Sequence, residues 1–251
     1  IFMLNNTVAI APNTQWKLAD YYLRPAQSQQ ISAGVFRTLP KGDWETSVEV
    51  FYKKTNYTTE FRDGAEFIDN ANVEQSVLQG NQNAYGFEFL IKRNSHKLNG
   101  WLAYTFSRAM VRVQSETSWD QINQGELFPA NFDSPHVVNA MINYKIRKRI
   151  SVSSTITYQS GKPVTYPIAT YTMEGLNYID YSGRNAYRIP HYFRTDISLK
   201  IEGNLKKDKL IHSSFLFSVY NLTGRDNPYS VYFDQVNGKL WSYQYSIIGV
   251  P

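Results

Sequence analysis

The sequence predicts an all-β fold, an antiparallel transmembrane β-barrel of which this chain supplies about eight strands. Three observations carry the prediction. Apolar residues recur at every second position in run after run, aromatic residues make up 15% of the chain, and short and long connections alternate strictly between the runs. A period of two marks a strand whose two faces meet different surroundings. A membrane barrel turns only alternate residues toward lipid, so its segments read as half polar. That accommodates a mean hydropathy of −0.43. No run of about 18 apolar residues occurs, which excludes a transmembrane helix.

The strands follow in order. Residues 27–38 carry Ile31, Ala33 and Val35 on one face, the weakest case. Residues 44–53 set Trp44, Thr46, Val48, Val50 and Tyr52 against Glu45, Ser47, Glu49, Phe51 and Lys53. Residues 85–92 set Tyr85, Phe87, Phe89 and Ile91 against Gly86, Glu88, Leu90 and Lys92. Residues 98–107 oppose Leu98, Leu102, Tyr104 and Phe106 to Asn99, Trp101, Thr105 and Ser107. Residues 137–144 put Val138, Ala140, Ile142 and Tyr144 on the apolar side. The cleanest run is 150–159, with Ile150, Val152, Ile156 and Tyr158 against Ser151, Ser153, Thr155 and Thr157. Residues 193–202 alternate Phe193, Ile197, Leu199 and Ile201 with Arg194, Asp196, Lys200 and Glu202, and 213–220 present Phe215, Phe217 and Val219. Each run is close to the ~9–11 residues that cross a bilayer at a tilt.

Alternation alone suits a soluble β-sandwich as well, with its polar face in bulk water. Connection lengths separate the two. The links 39–43, 93–97, 146–149 and 203–211 are short, and 61–79, 114–132 and 161–190 are long. Outer-membrane barrels have short periplasmic turns and longer extracellular loops. Structureless loops of this length count against a compact soluble domain. The short links are therefore expected at the periplasm. There they carry the basic runs Lys145-Ile146-Arg147-Lys148-Arg149 and Lys206-Lys207-Asp208-Lys209. Such runs are ordinarily solvated, with anionic headgroups the alternative partner. Two further runs, 227–233 and 240–247, flank Asn237-Gly238, a hairpin signal, and predict an extracellular hairpin. No secretory leader is recognisable at Ile1, so an upstream N-terminus is expected, and one more membrane strand is expected after Pro251.

Several chemistries find no support. The absence of cysteine removes disulfide scaffolds and thiolate metal sites. The +5 net charge is mild and spread along the chain, unlike the focused basic face of a nucleic-acid binder. No nucleophile elbow, phosphate loop or zinc-protease motif occurs, and no enzyme activity is expected. His96, His136, His191 and His212 are scattered at strand ends without ligand spacing, so no metal and no cofactor are expected. Glu45 and Glu49 share a face but lie about 13 Å apart along a strand. That exceeds the ~5–9.5 Å of glycosidase carboxylate pairs.

Five segments together resemble the C-terminal half of TonB-dependent outer-membrane receptors of the Bacteroidota style. They are Gly86-Phe87-Glu88, Asp133-Ser134-Pro135-His136, Tyr158-Gln159-Ser160-Gly161-Lys162-Pro163, Asn185 with Arg188-Ile189-Pro190-His191-Tyr192-Phe193-Arg194-Thr195-Asp196, and Val219-Tyr220-Asn221-Leu222-Thr223 with Arg225 and Asn227-Pro228. Each alone is weak, but their order spans nearly the whole chain. The resemblance implies a plugged barrel of about 22 strands. It also implies energised import of a scarce ligand (siderophore, cobalamin, glycan or peptide). The implied partners are outer-membrane lipid, the protein's own plug domain, TonB through an N-terminal segment, and in some members a surface lipoprotein. Residues 1–251 would be a C-terminal barrel segment lacking plug, TonB-binding segment and closing strand. The alternatives are a non-transporting outer-membrane barrel and a soluble β-domain.

Ligand contact is expected from aromatics in the long connections: Trp119, Tyr166, Tyr171, Tyr178 and Tyr181. Their rings can stack on a sugar, a chelate or a peptide side chain. Packing of loop against loop is the commoner use of such rings. Glu49, Glu88, Arg194 and Asp196 are expected to face the lumen or plug in structural roles.

Overall fold

The computed structural model describes residues 2–4, 15–39, 43–65, 73–174, 176–203, 213–236 and 239–247. The expected turn residues 40–42, the basic run 206–209, the hairpin tip 237–238 and Pro251 lie outside them. Among the described residues the chain is strand and loop, apart from three short 3₁₀ turns. Among the described residues no helix is long and apolar enough to cross a membrane.

The strands are β1 (Phe2–Leu4), β2 (Gln15–Lys17), β3 (Gln27–Thr38), β4 (Trp44–Phe61), β5 (Val77–Asn94), β6 (Leu98–Arg112) and β7 (Phe128–Pro129). They continue with β8 (His136–Arg147), β9 (Ile150–Gln159), β10 (Pro163–Val164), β11 (Pro167–Met173), β12 (Leu176–Tyr181) and β13 (Tyr187–Arg188). The last are β14 (Tyr192–Glu202), β15 (Ser214–Val219), β16 (Asn227–Val236) and β17 (Lys239–Ile247). Eight of them form an antiparallel meander in chain order, β3-β4-β5-β6-β8-β9-β14-β15, with β7 added on β6. The sheet is open, with β3 and β15 at its edges. β10–β13, β11–β12 and β16–β17 are small separate pairs in the loop regions.

The register assembles the period-two runs into two continuous faces. One row runs Val35, Val48, Phe89, Tyr104, Val138, Tyr158 and Phe193 across seven strands. On the opposite face Glu45 meets Lys92, Glu49 meets Glu88, and Asn139, Thr157 and Arg194 align. The apolar face is uncovered. Val48 is 45% exposed and Phe217 62% exposed, and no second sheet packs on them among the described residues. A soluble sandwich buries these side chains; a sheet in lipid leaves them outward.

The main buried cluster sits elsewhere. Leu78, Ala109, Val111, Val113, Ile122, Phe128 and Ala130 pack together. Leu78, Ala109 and Val111 lie at polar-face positions of β5 and β6, near the ends of the long loops. The 113–135 connection thus folds back over the polar face and covers it there. β4 and β5 also run further than their alternation predicts, with 18 residues each. A bulge at Tyr57, whose φ is +60°, shifts the register between Asn56 and Thr58 and breaks the alternation on β4.

Candidate functional site

The rim of long loops is organised around Asp133. Its carboxylate is fully buried between two cations: it pairs with Arg188 and lies 3.4 Å from Arg108 Nε. It also accepts the Ala109 N–H at 2.6 Å. Arg188 donates further to the carbonyls of Asp133 at 2.8 Å and Gly161 at 2.9 Å. The neighbouring motif residues knit the same joint. Ser134 donates to the Ser160 carbonyl at 2.9 Å, and Ser160 Oγ accepts the His136 N–H at 3.1 Å. A Cβ at Gly161 would fall 1.7 Å from the Ile189 carbonyl, so only glycine fits where the two motifs cross.

A second joint ties the 160–191 connection to the 113–135 loop and the top of β4. Asn185 adopts φ +57° and is buried. Its amide donates to the Pro129 carbonyl and to Asn131 Oδ1, both at 2.7 Å. Arg184 donates through its side chain to the Phe61 carbonyl at 2.8 Å and to Asp63 at 2.5 Å. Its own N–H reaches Asn123 Oδ1 at 2.6 Å. Between these parts lies a cavity of about 650 Å³, with Asn123, Asn131, Thr165, Tyr181, Ser182 and Asn185 among its lining. The cations at its edge are already paired, Arg62 with Asp120 at 2.7 Å and Arg184 with Asp63, and Asp180 adds a further carboxylate to the lining.

Below this joint Glu60 is 8% exposed, at the loop end of β4 and well past the membrane-crossing stretch 44–53. Burial pushes its carboxyl up to about 7, and Arg184 only partly offsets this. The folded rim therefore holds a proton that the unfolded chain releases near 4.5. Stability contributed here is full below that lower value and is lost as pH rises toward 7, by about 3 kcal/mol in all. Glu60→Gln is expected to flatten this loss. Amide exchange of 58–61 and 77–80, corrected for intrinsic rates, should slow at pH 7.5 relative to wild type and match it at pH 4.5.

The five loop aromatics are not brought to one place. Tyr181 lines the cavity. Tyr171 and Tyr178 stack across β11–β12 with ring centres 5.5 Å apart. Tyr166 is half-buried against Tyr187 and Phe233. Trp119 stands out from a 3₁₀ turn, 79% exposed. On the polar face, Arg194 pairs with Asp196 at 3.2 Å and packs over the Tyr220 ring at 4.5 Å. Asp196 accepts the Asn221 N–H at 2.9 Å. Among the described residues no cluster of three metal-ligating side chains exists. Sequence reasoning missed the asparagines of the cavity. The one local hint was a run of Asn and Gln in the 114–132 link.

A family model described as TonB dependent receptor-like, beta-barrel, matches residues 4–222. The chain belongs to this family. A TonB-dependent receptor barrel is an outer-membrane β-barrel of Gram-negative bacteria, and its members are transport receptors rather than enzymes. No curated protein matches the chain. Among solved structures, the ferric-catecholate import receptor Fiu of E. coli K12 aligns with 15% identity and a TM-score of 0.55 over 89% of this chain. The outer-membrane ferripyoverdine receptor of Pseudomonas aeruginosa aligns with 13% identity and a TM-score of 0.55 over 84%. At such identities the likeness is one of fold. The chain spans about a quarter of each receptor's length, 27% and 24%. For a TonB-dependent receptor barrel the uncovered apolar face is the lipid face, and the charged face is the inner wall.

Proposed function

We propose that the protein is a TonB-dependent importer, of which residues 1–251 form a C-terminal barrel segment. In this reading a ligand binds at the extracellular rim, a plug domain encoded upstream moves when TonB pulls on it, and the ligand enters the periplasm. On the same reading Glu49, Glu88, Arg194 and Asp196 stand on the wall facing that plug, and the Arg194–Asp196 ion pair supports a structural role for those two. The observation that carries the reading is the rim cavity. Its volume of about 650 Å³ lies in the ~300–1,000 Å³ range of small-ligand sites.

The lining favours one ligand class. Asn123, Asn131, Asn185, Thr165 and Ser182 supply amides and hydroxyls, Tyr181 offers a ring face, Asp180 adds a carboxylate, and the nearby cations are spent on Asp63 and Asp120. A neutral ligand rich in hydroxyl or amide groups, a glycan or a peptide, suits this better than an anionic iron chelate. Tyr171, Tyr178 and Trp119, exposed on the same loops, would extend the contact beyond the cavity. The test is uptake of labelled oligosaccharides, peptides and ferric siderophores by cells carrying the full-length receptor, with and without TonB. Glycan or peptide uptake that needs both receptor and TonB, and weakens in Asn131→Ala and Tyr181→Ala, is expected. Uptake of every probe unchanged on deleting the receptor gene would remove the proposal.

A further inference from the structure

We propose that the lipid face carries a binding site for an anionic phospholipid of the periplasmic leaflet, with one acyl chain in a groove over Gly100 and Ala140 and the phosphate on Arg93. The site is independent of what the receptor imports.

The groove follows from the register. At one level across the sheet the outward residues are Trp44, Arg93, Gly100, Ile142 and Ser154, and at the next they are Thr46, Ile91, Leu102, Ala140 and Ile156. Gly100 has no side chain and Ala140 only a methyl, so the surface dips between Ile91, Leu98 and Leu102 on one side and Ile142 and Ile156 on the other. The dip measures about 360 Å³. It cannot be filled from its floor, because a Cβ at Gly100 would lie 2.4 Å from the Met141 carbonyl. The close approach of β6 and β8 thus builds the depression into the strand pairing. On a face turned toward the bilayer, the molecule available to fill an apolar slot is an acyl chain.

Arg93 supplies the headgroup end. It lies near the short 95–97 turn, which is the periplasmic edge. Its guanidinium sits 4.9 Å over the Trp44 ring, which holds its plane. Its Nε is buried without a hydrogen-bond partner. A charged donor buried beside apolar side chains and left unpaired is costly. A phosphate oxygen arriving from the headgroup layer would meet the terminal N–H groups of the same guanidinium, in the planar geometry that guanidinium offers and ammonium does not. Lys97, exposed in the adjoining turn, adds positive charge at the same edge. Basic side chains at a membrane surface favour anionic over zwitterionic lipid. Tryptophan at the headgroup level is the usual anchor of such a zone.

The test uses the full-length receptor, extracted from its outer membrane in mild detergent and examined by native mass spectrometry. It is then incubated with vesicles of phosphatidylethanolamine and phosphatidylglycerol before re-extraction. Wild type is expected to retain phosphatidylglycerol in preference to phosphatidylethanolamine. Arg93→Gln should reduce that retention about fivefold. Ala140→Leu, which fills the groove without touching backbone, should reduce it as well. The heat-dependent shift in electrophoretic mobility of a folded barrel serves as the control that both variants are intact. Equal retention of the two lipids by wild type overturns the proposal, and so does wild-type retention by either folded variant.

Discussion

Asp133→Ala is expected to destabilise the barrel's outer rim by about 3–5 kcal/mol, the usual cost of leaving a buried charge without its partner. The carboxylate is fully buried and answers Arg188, Arg108 and the Ala109 N–H together. Removing it strands Arg188, which also holds the Asp133 and Gly161 carbonyls. Asp133→Asn should be nearly as damaging, since its amide would turn a donor toward one of the arginines. Arg108→Ala is the contrast. That side chain is about a third exposed and meets Asp133 at 3.4 Å as an ion pair without a hydrogen bond. Its loss should cost about 1 kcal/mol or less. The readout is trypsin cleavage within 160–191 together with the urea midpoint of the full-length receptor refolded into lipid. An Asp133→Ala midpoint matching wild type would show that the joint does not hold the rim.

The contrast between these two arginines also shows how much the sequence revealed. Strand positions were legible because lipid on one side and water on the other impose a period of two. Residues 27–38 and 150–159 fall on β3 and β9 to the residue. The rule failed where a third surrounding intervenes. Past Tyr57 the bulge inverts which residues face inward, so the run 44–53 is only the lower part of β4. On β5 and β6 the 113–135 loop covers the inner wall, and there Leu78 and Val111 are apolar where the lumen would ask for polar groups. That cover comes from residues far along the chain, and no local period reports it. The Asp133 motif was visible as a strand opener, but its partners come from positions 25 residues before it and 55 after it. The cavity was hidden for the same reason. Its asparagines are ordinary loop residues until three separate connections meet.

Placing an arginine on each face at one level of the membrane tests the physical basis of the whole assignment. Val48 and Ser47 are adjacent on β4, near the middle of its crossing stretch, and point to opposite faces. Val48 is flanked by Val35 and Phe89, and Ser47 by Phe36 and Leu90. Val48→Arg is expected to cost about 2–4 kcal/mol, the penalty for a cation on a barrel's lipid face near the midplane. Ser47→Arg enters a face that already carries Glu45, Glu49 and Glu88 and has water beside it, so its cost should fall within about 0.5 kcal/mol of zero. Both are measured as unfolding midpoints of the full-length receptor in lipid vesicles. In a soluble sheet with its apolar face outward, Val48→Arg would instead be neutral or would improve solubility. The sign of the difference between two neighbouring residues therefore separates lipid from water as the surroundings of that face. It does so without knowledge of the ligand, the plug or the remaining strands.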